Sequence, residues 1–304
     1  MKLAENLNSF SPTRRGFLKK SIAATGVLLA TPFLSHGSGL FIKDYYTVKE
    51  IIDLFISQVP GGALSETVDT LKSGKQDTIV TGIVVTSFAT IDVIRKTIEL
   101  GANFIISHEP TFYNHPDDIK WLENDEVYHY KADLLKKNNI AVWRNHDYVH
   151  RLKPDGVRIG VLNKLDWIKF EGENNLLNVP KITLSNLITE LKTKLNIQMV
   201  RYIGNPSQLC SKLLLLPGAV GARDHLSGIS KYKPDVLICG ELSEWETAEY
   251  VRDAIASGQN IALIVLGHIA SEEPGSDFVL NWLKTNVPSV KVSHIPSGNS
   301  LSFM

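Results

Sequence analysis

The chain has 304 residues, 43% hydrophobic and 21% charged, which is the composition of one large or two modest globular domains rather than of a disordered, collagenous or coiled-coil protein. Thirty-two basic residues balance thirty-two acidic ones, so there is no surplus positive charge to neutralise a nucleic-acid backbone, and no nucleic-acid partner is expected. Only two cysteines occur, Cys210 and Cys239, both in apolar runs, which excludes a disulfide framework and predicts two buried thiols.

The chain opens on an address. Thr13-Arg-Arg-Gly-Phe-Leu-Lys19 precedes a short apolar stretch, Ile22–Leu34, and then the small residues Ser35, Gly37 and Ser38. A charged start, a hydrophobic centre too short to span a bilayer and a small-residue end predict a signal peptide over residues 1–37. The Arg14-Arg15 pair resembles the twin-arginine type, implying export of a folded protein to the periplasm or another extracytoplasmic space. No later stretch reaches about 18 apolar residues, so no membrane partner is expected after export.

Thr47-Val-Lys-Glu50 is a capping box that opens a first helix. Ile79–Thr86 reads as a strand, Thr90–Leu100 as an amphipathic helix stopped by Gly101, and Asn103–Ser107 as a second strand running into His108-Glu109-Pro110. The pattern repeats with a helix over Asp125–Lys137 and a strand over Ile140–Trp143, followed by Asn145-His-Asp-Tyr-Val-His150. Asp155–Pro180 is Gly- and Asn-rich and reads as a connection. Beyond it come a helix (Leu184–Leu195), strands at Gln198–Ile203, Leu213–Leu216 and Asp235–Cys239, a helix over Ser243–Ala256 and a strand over Ile261–Leu266 that ends in Gly267-His268. The expected fold is α/β: two lobes with mixed sheets, over residues 38–165 and 166–304, with a metal site at strand carboxyl ends in the cleft between them. Gly101…Ser107-His108 and Gly258…Gly267-His268 echo each other as an internal duplication would.

Three strand ends thus carry histidine: His108-Glu109, His146 with His150, and His268-Ile-Ala-Ser-Glu272. Imidazoles and carboxylates at this density are the donors that hold zinc, iron or manganese. His146 and Asp147 are placed to orient His150, whereas His115, His129, His225 and His294 have no partner motif.

The order of these motifs resembles the Nif-three-like family of dinuclear-metal proteins, whose bacterial members are named GTP cyclohydrolase type 2 homologues. The resemblance runs from Thr47 to Gly275 and rests on Ser107-His108-Glu109-Pro110, Gly240-Glu241-Leu-Ser-Glu244 and Gly267-His268-Ile-Ala-Ser-Glu272, with Gly218–Gly221 where the family has a glycine cluster. Two positions depart from the family pattern: Glu109 stands where the family has a second histidine, and His150 where it has an aspartate. The ligand set that the resemblance implies is therefore His108, Glu109, His150, His268 and Glu272, still three histidines and two carboxylates, for one or two divalent ions. Glu241 and Glu244 are the candidate catalytic proton carriers; the alternative for Glu244 is a carboxylate favoured by a helix N-terminus. The implied function is metal-dependent hydrolysis of a small molecule, at a phosphoester, amide or cyclic amidine bond. The alternative is a metal-bound, ring-forming scaffold without turnover, and a homo-oligomeric ring is expected in either case. No nucleotide-binding or nucleophile-elbow motif points to another class.

Overall fold

In the computed structural model, residues 43–302 and 304 are described; the signal sequence expected over 1–37 lies outside them. Ten strands are present among the described residues: β1 (Leu71–Ser73), β2 (Ile83–Thr86), β3 (Phe104–Ser107), β4 (Ala141–Arg144), β5 (Leu176–Thr183), β6 (Arg201–Ile203), β7 (Leu209–Leu216), β8 (Val236–Cys239), β9 (Ala262–Val265) and β10 (Val292–His294). The helices are α1 (Val48–Ser57), α2 (Ile91–Glu99), α3 (Glu126–Lys137), α4 (Asp147–Arg151), α5 (Gly156–Leu165), α6 (Leu184–Leu195), α7 (Ala222–Tyr232), α8 (Glu249–Ala256), α9 (His268–Glu272) and α10 (Pro274–Asn286). The α1 capping box forms as expected, with Thr47 and Glu50 each satisfying the other's backbone N–H.

The strands make two five-stranded mixed sheets, ordered β1-β4-β3-β2-β10 and β5-β7-β8-β9-β6. In each, a parallel centre is flanked by an antiparallel strand: β1 on β4 in the first, β5 on β7 and β6 on β9 in the second. Strands β2, β3, β4, β8 and β9 are buried along their whole length, which is why they read as unbroken apolar runs. Cys210 and Cys239 are buried free thiols.

Three elements differ from the sequence expectation. The supposed connection over Asp155–Pro180 contains α5 and β5. Helix α5 has no amphipathic stripe because it is buried on both sides: Val157 packs in the core of the first sheet, and Val161, Leu162 and Leu165 pack in that of the second. Strand β5 carries Pro180 where its pairing with β7 is irregular, between Asn178 and Ile182, the sheet-edge setting that tolerates a residue without an N–H. The expected helix from Ser243 begins as a π-helical turn, Glu244–Ala248, before α8.

The chain also returns. After the second sheet is complete, α10 contributes Val279 and Leu283 to the first core, and β10 pairs in parallel with β2, so residues 292–294 belong to the first sheet rather than to a contiguous second lobe. Helices α5 and α10 cross closely at Gly160, where an added Cβ would stand 2.3 Å from the Pro274 carbonyl oxygen. Gly160→Ala must push α10 away from α5 and should cost about 1–3 kcal/mol. Thermal or urea denaturation checks this; an unchanged midpoint would mean that the crossing is slack.

Candidate metal centre

Five parallel strands aim their carboxyl ends at one place. His108 and Glu109 follow β3, His146 and His150 follow β4, Gly218 follows β7, Glu241 follows β8, and His268 and Glu272 are the first and last residues of α9 after β9. The sequence-expected residues His108, Glu109, His150, His268 and Glu272 therefore meet, although the first three come from one sheet and the last two from the other. Glu272 Oε2 lies 3.5 Å from His108 Nε2 and 3.0 Å from His268 Nε2, and Glu109 Oε1 lies 3.6 Å and 3.1 Å from the same two nitrogens.

Glycine makes this packing possible. Gly218 has φ +69°, and a Cβ there would fall 2.1 Å from Glu272 Oε1. Ser271 fixes the same contact, its Oγ accepting from Gly218 N at 2.9 Å and donating to the His268 carbonyl at 2.7 Å.

His146 forms part of the site in its own right. The His108 and His146 rings stack with centroids 4.8 Å apart, and His150 meets both edge-on at 5.1 and 5.0 Å. One ring nitrogen from each of His108, His146 and His150 lies within 4.8 Å of the others, and the same is true of donor atoms from His108, Glu109 and Glu272. The expectation that His146 and Asp147 orient His150 is corrected: His150 Nδ1 pairs with Asp155 Oδ2 at 2.9 Å, while Asp147 Oδ1 holds His146 Nδ1 at 3.0 Å. His108 Nδ1 faces the Asn145 carbonyl oxygen at 3.3 Å. All three Nδ1 atoms are engaged by oxygen acceptors, which selects the tautomer with a free Nε2 lone pair.

The surrounding residues hold these groups rigidly. Buried Asp69 accepts from the backbone N–H of His146 and of Tyr148, both at 2.8 Å, which fixes the turn carrying His146. Arg144, fully buried, donates from Nε to the His108 carbonyl at 3.3 Å and holds Nη2 3.6 Å from Glu109 Oε2. Asp155, the N-cap of α5, ties His150 to the helix shared by both cores. None of these three carried a sequence signal beyond residue type.

A cavity of about 840 Å³ opens over the cluster, lined among others by Glu109, His146, His150, His268, Glu272 and Glu241. Glu241 sits half exposed at its edge, with Oε2 3.5 Å from His268 Nδ1. Glu244 does not line it; exposed on the π-helical turn, it pairs with Arg201.

These residues fit a divalent ion. His108 Nε2 is buried without a hydrogen-bond partner, the three Nδ1 atoms are occupied, and the remaining donors are imidazoles and carboxylates. Without an ion, protons supply the missing positive charge. Burial opposes a charge on His108, but Glu272 and Glu109 outweigh it and raise its pKa to about 9. Burial opposes it likewise at His268, where Glu109 and Glu272 raise the pKa to about 10. Burial would raise Glu272, yet the two imidazoles pull it well below the usual carboxylate range. Burial, reinforced by the nearby His108 charge, lowers His146 to about 4, so it is neutral at pH 7.

The sequence model of the family Duf34/NIF3 (NGG1p interacting factor 3) matches residues 47–300. A protein named "GTP cyclohydrolase 1 type 2 homolog" from Clostridium acetobutylicum is 26% identical over 217 residues, 67% of this chain and 76% of that protein. One of the same name from Clostridium perfringens is 25% identical over 215 residues, 67% of this chain and 78% of that protein. Among solved structures, a Staphylococcus aureus hypothetical protein superposes with TM-score 0.68 at 18% identity, covering 85% of this chain and 99% of that one. A Bacillus cereus protein related to NIF3 gives 0.69 at 15%, covering 86% and 99%.

Two outcomes are expected. Gly218→Ala should displace the Glu272 carboxylate, costing about 1–3 kcal/mol of stability and at least about tenfold in metal affinity; calorimetric titration with Zn²⁺ would reveal it. Because His108 and His268 are protonated at pH 7 in the ion-free protein, ion binding there must expel protons. Apparent affinity should rise with pH and level off near pH 10, with proton release measurable in weakly buffered solution. A pH-independent affinity would remove these two imidazoles from the ligand set.

Proposed function

The chain belongs to the Duf34/NIF3 family, and from that premise we propose that it is an exported, metal-dependent hydrolase holding one or two divalent ions of zinc, iron or manganese. One observation carries this reading: the two donor groups His108/His146/His150 and His108/Glu109/Glu272 share the buried His108, and their other four residues line the cavity. His268, bonded to both carboxylates, completes the set. Bound divalent ions supply Lewis acidity and a coordinated water of lowered pKa.

The protein's own groups divide the remaining work. Asp147, Asp155 and the Asn145 carbonyl engage Nδ1 of the three imidazoles and fix their orientation, leaving Nε2 of each as the atom that would bind an ion. Arg144, with Nη2 3.6 Å from Glu109 Oε2, supplies fixed positive charge beside that carboxylate. Glu241, reaching solvent on one side and His268 Nδ1 on the other, is the group placed to carry a proton between cavity and bulk water. The scissile bond is a phosphoester, an amide or, as the name of the clostridial relatives suggests, the cyclic amidine of a purine. Export rests on the Thr13–Lys19 motif.

Protein purified from the exporting cell should contain at least one transition-metal ion per chain by elemental analysis. His108→Ala, which removes the residue common to both donor groups, should lose most of it, together with chelator-sensitive hydrolysis of model phosphoesters or amides. Unchanged metal content in that variant would contradict the assignment.

A further inference from the structure

We propose that Lys131 is the anion-recognition point of this cavity, binding an oxyanion group of the substrate, phosphate or carboxylate, that is carried on an apolar body. The word substrate rests on the hydrolase reading above; the anion site itself stands on separate observations.

Lys131 belongs to α3, whose sequence reads as a surface helix, yet only 4% of its surface is exposed and it lines the cavity. Its ammonium has three N–H donors, and one of them is used, by Nζ donating to the Thr111 carbonyl. Among the described residues no carboxylate comes within 4.0 Å of Nζ; the nearby Asp117 carboxylate lies 3.2 Å from Lys72 and 3.7 Å from Arg144 instead. Besides the more distant attraction of Asp117, the compensation for its charge is aromatic: Nζ stands 5.2 Å from the Tyr113 ring centroid and 5.8 Å from that of Phe112.

A buried ammonium without a counterion is costly. Burial lowers the Lys131 pKa to about 8, against the attraction of Asp117, so the group still carries its charge at pH 7. It faces a cavity large enough for a small molecule whose walls include Phe88, Ile91, Tyr113, Val220 and Ile269. A cation with spare donors, an apolar wall and a metal-binding cluster in one cavity select a ligand with an oxyanion attached to a ring or chain. The anion is the counterion that the fold withholds from Lys131.

The test compares phenyl phosphate, benzoate and phenol by calorimetric titration of the purified protein, metal-loaded and chelator-stripped. One or both oxyanion probes should bind more tightly than phenol. Lys131→Met should weaken the favoured oxyanion by about tenfold to a hundredfold, leaving phenol affinity and metal content unchanged, and the difference should persist in stripped protein. Which oxyanion is favoured separates phosphate from carboxylate recognition. Equal phenyl phosphate and benzoate binding by wild type and Lys131→Met would overturn the proposal. So would oxyanion binding that vanishes on stripping but ignores Lys131, since the anion would then sit on the ions. Absence of metal from the purified protein would overturn the hydrolase reading and leave this comparison readable. Should Lys131→Met not fold, wild-type protein decides: phenyl phosphate or benzoate, but not phenol, should protect Lys131 from acylation in mass spectrometry, and equal labelling with and without the oxyanions would refute the site.

Discussion

Glu272 is a carboxylate buried between two imidazoles from different sheets, and the arrangement of the site depends on that burial. An ionised carboxylate taken out of water needs positive charge and hydrogen bonds around it. His268, one turn earlier on α9, supplies part of this from the second sheet, and His108 supplies part from the first. The contact leaves no room for a side chain on the β7 loop, so Gly218 is required, and Ser271 bonds that glycine back to α9. The two sheets are held in register at the site by charge and at a distance from it by α5, whose first turn packs in one core and whose later turns pack in the other. Packing fixes the lobes; the buried carboxylates fix what meets between them.

The imidazoles on the β4 side obey a different constraint. There the acceptors Asp147, Asp155 and the Asn145 carbonyl take one nitrogen of each ring and leave the other uncommitted. Rings fixed in this way, with His146 neutral at pH 7, leave little reorganisation to be done when a cation arrives. The Glu109–His268–Glu272 side is instead already balanced by protons and by Arg144. The centre is thus unequal: His146 is already neutral, whereas His108 and His268 must exchange protons for an ion.

Much of this was legible in the sequence because parallel strands buried on both faces are continuous apolar runs, and ligands collect where such strands end. That logic pointed to His108-Glu109, to His146 with His150 and to His268 with Glu272, and the family resemblance narrowed these to His108, Glu109, His150, His268 and Glu272. It failed where burial hides periodicity or where a residue's partner is remote in sequence. Helix α5 looked like a Gly-rich connection because most of its circumference is buried, which erases the amphipathic stripe. His146 looked like a support for His150 because the two are i, i+4 neighbours, whereas Asp155, an N-cap, holds His150. Asp69 lies in a loop 77 residues before the His146 backbone that it holds. Lys131 sits on a helix where lysine ordinarily points to water, and only tertiary structure turns it inward. Glu244 followed a motif to the correct strand end but was drawn to the surface by Arg201.

Anomalous X-ray diffraction at the absorption edge of the metal found in the purified protein tests most directly whether these imidazoles hold an ion. The prediction is an anomalous peak with His108, His146 and His150 nitrogens at about 2.0–2.2 Å, with or without a second, weaker peak beside Glu109, Glu272 and His268. A metal peak elsewhere, with the three ring nitrogens left unliganded, would contradict it.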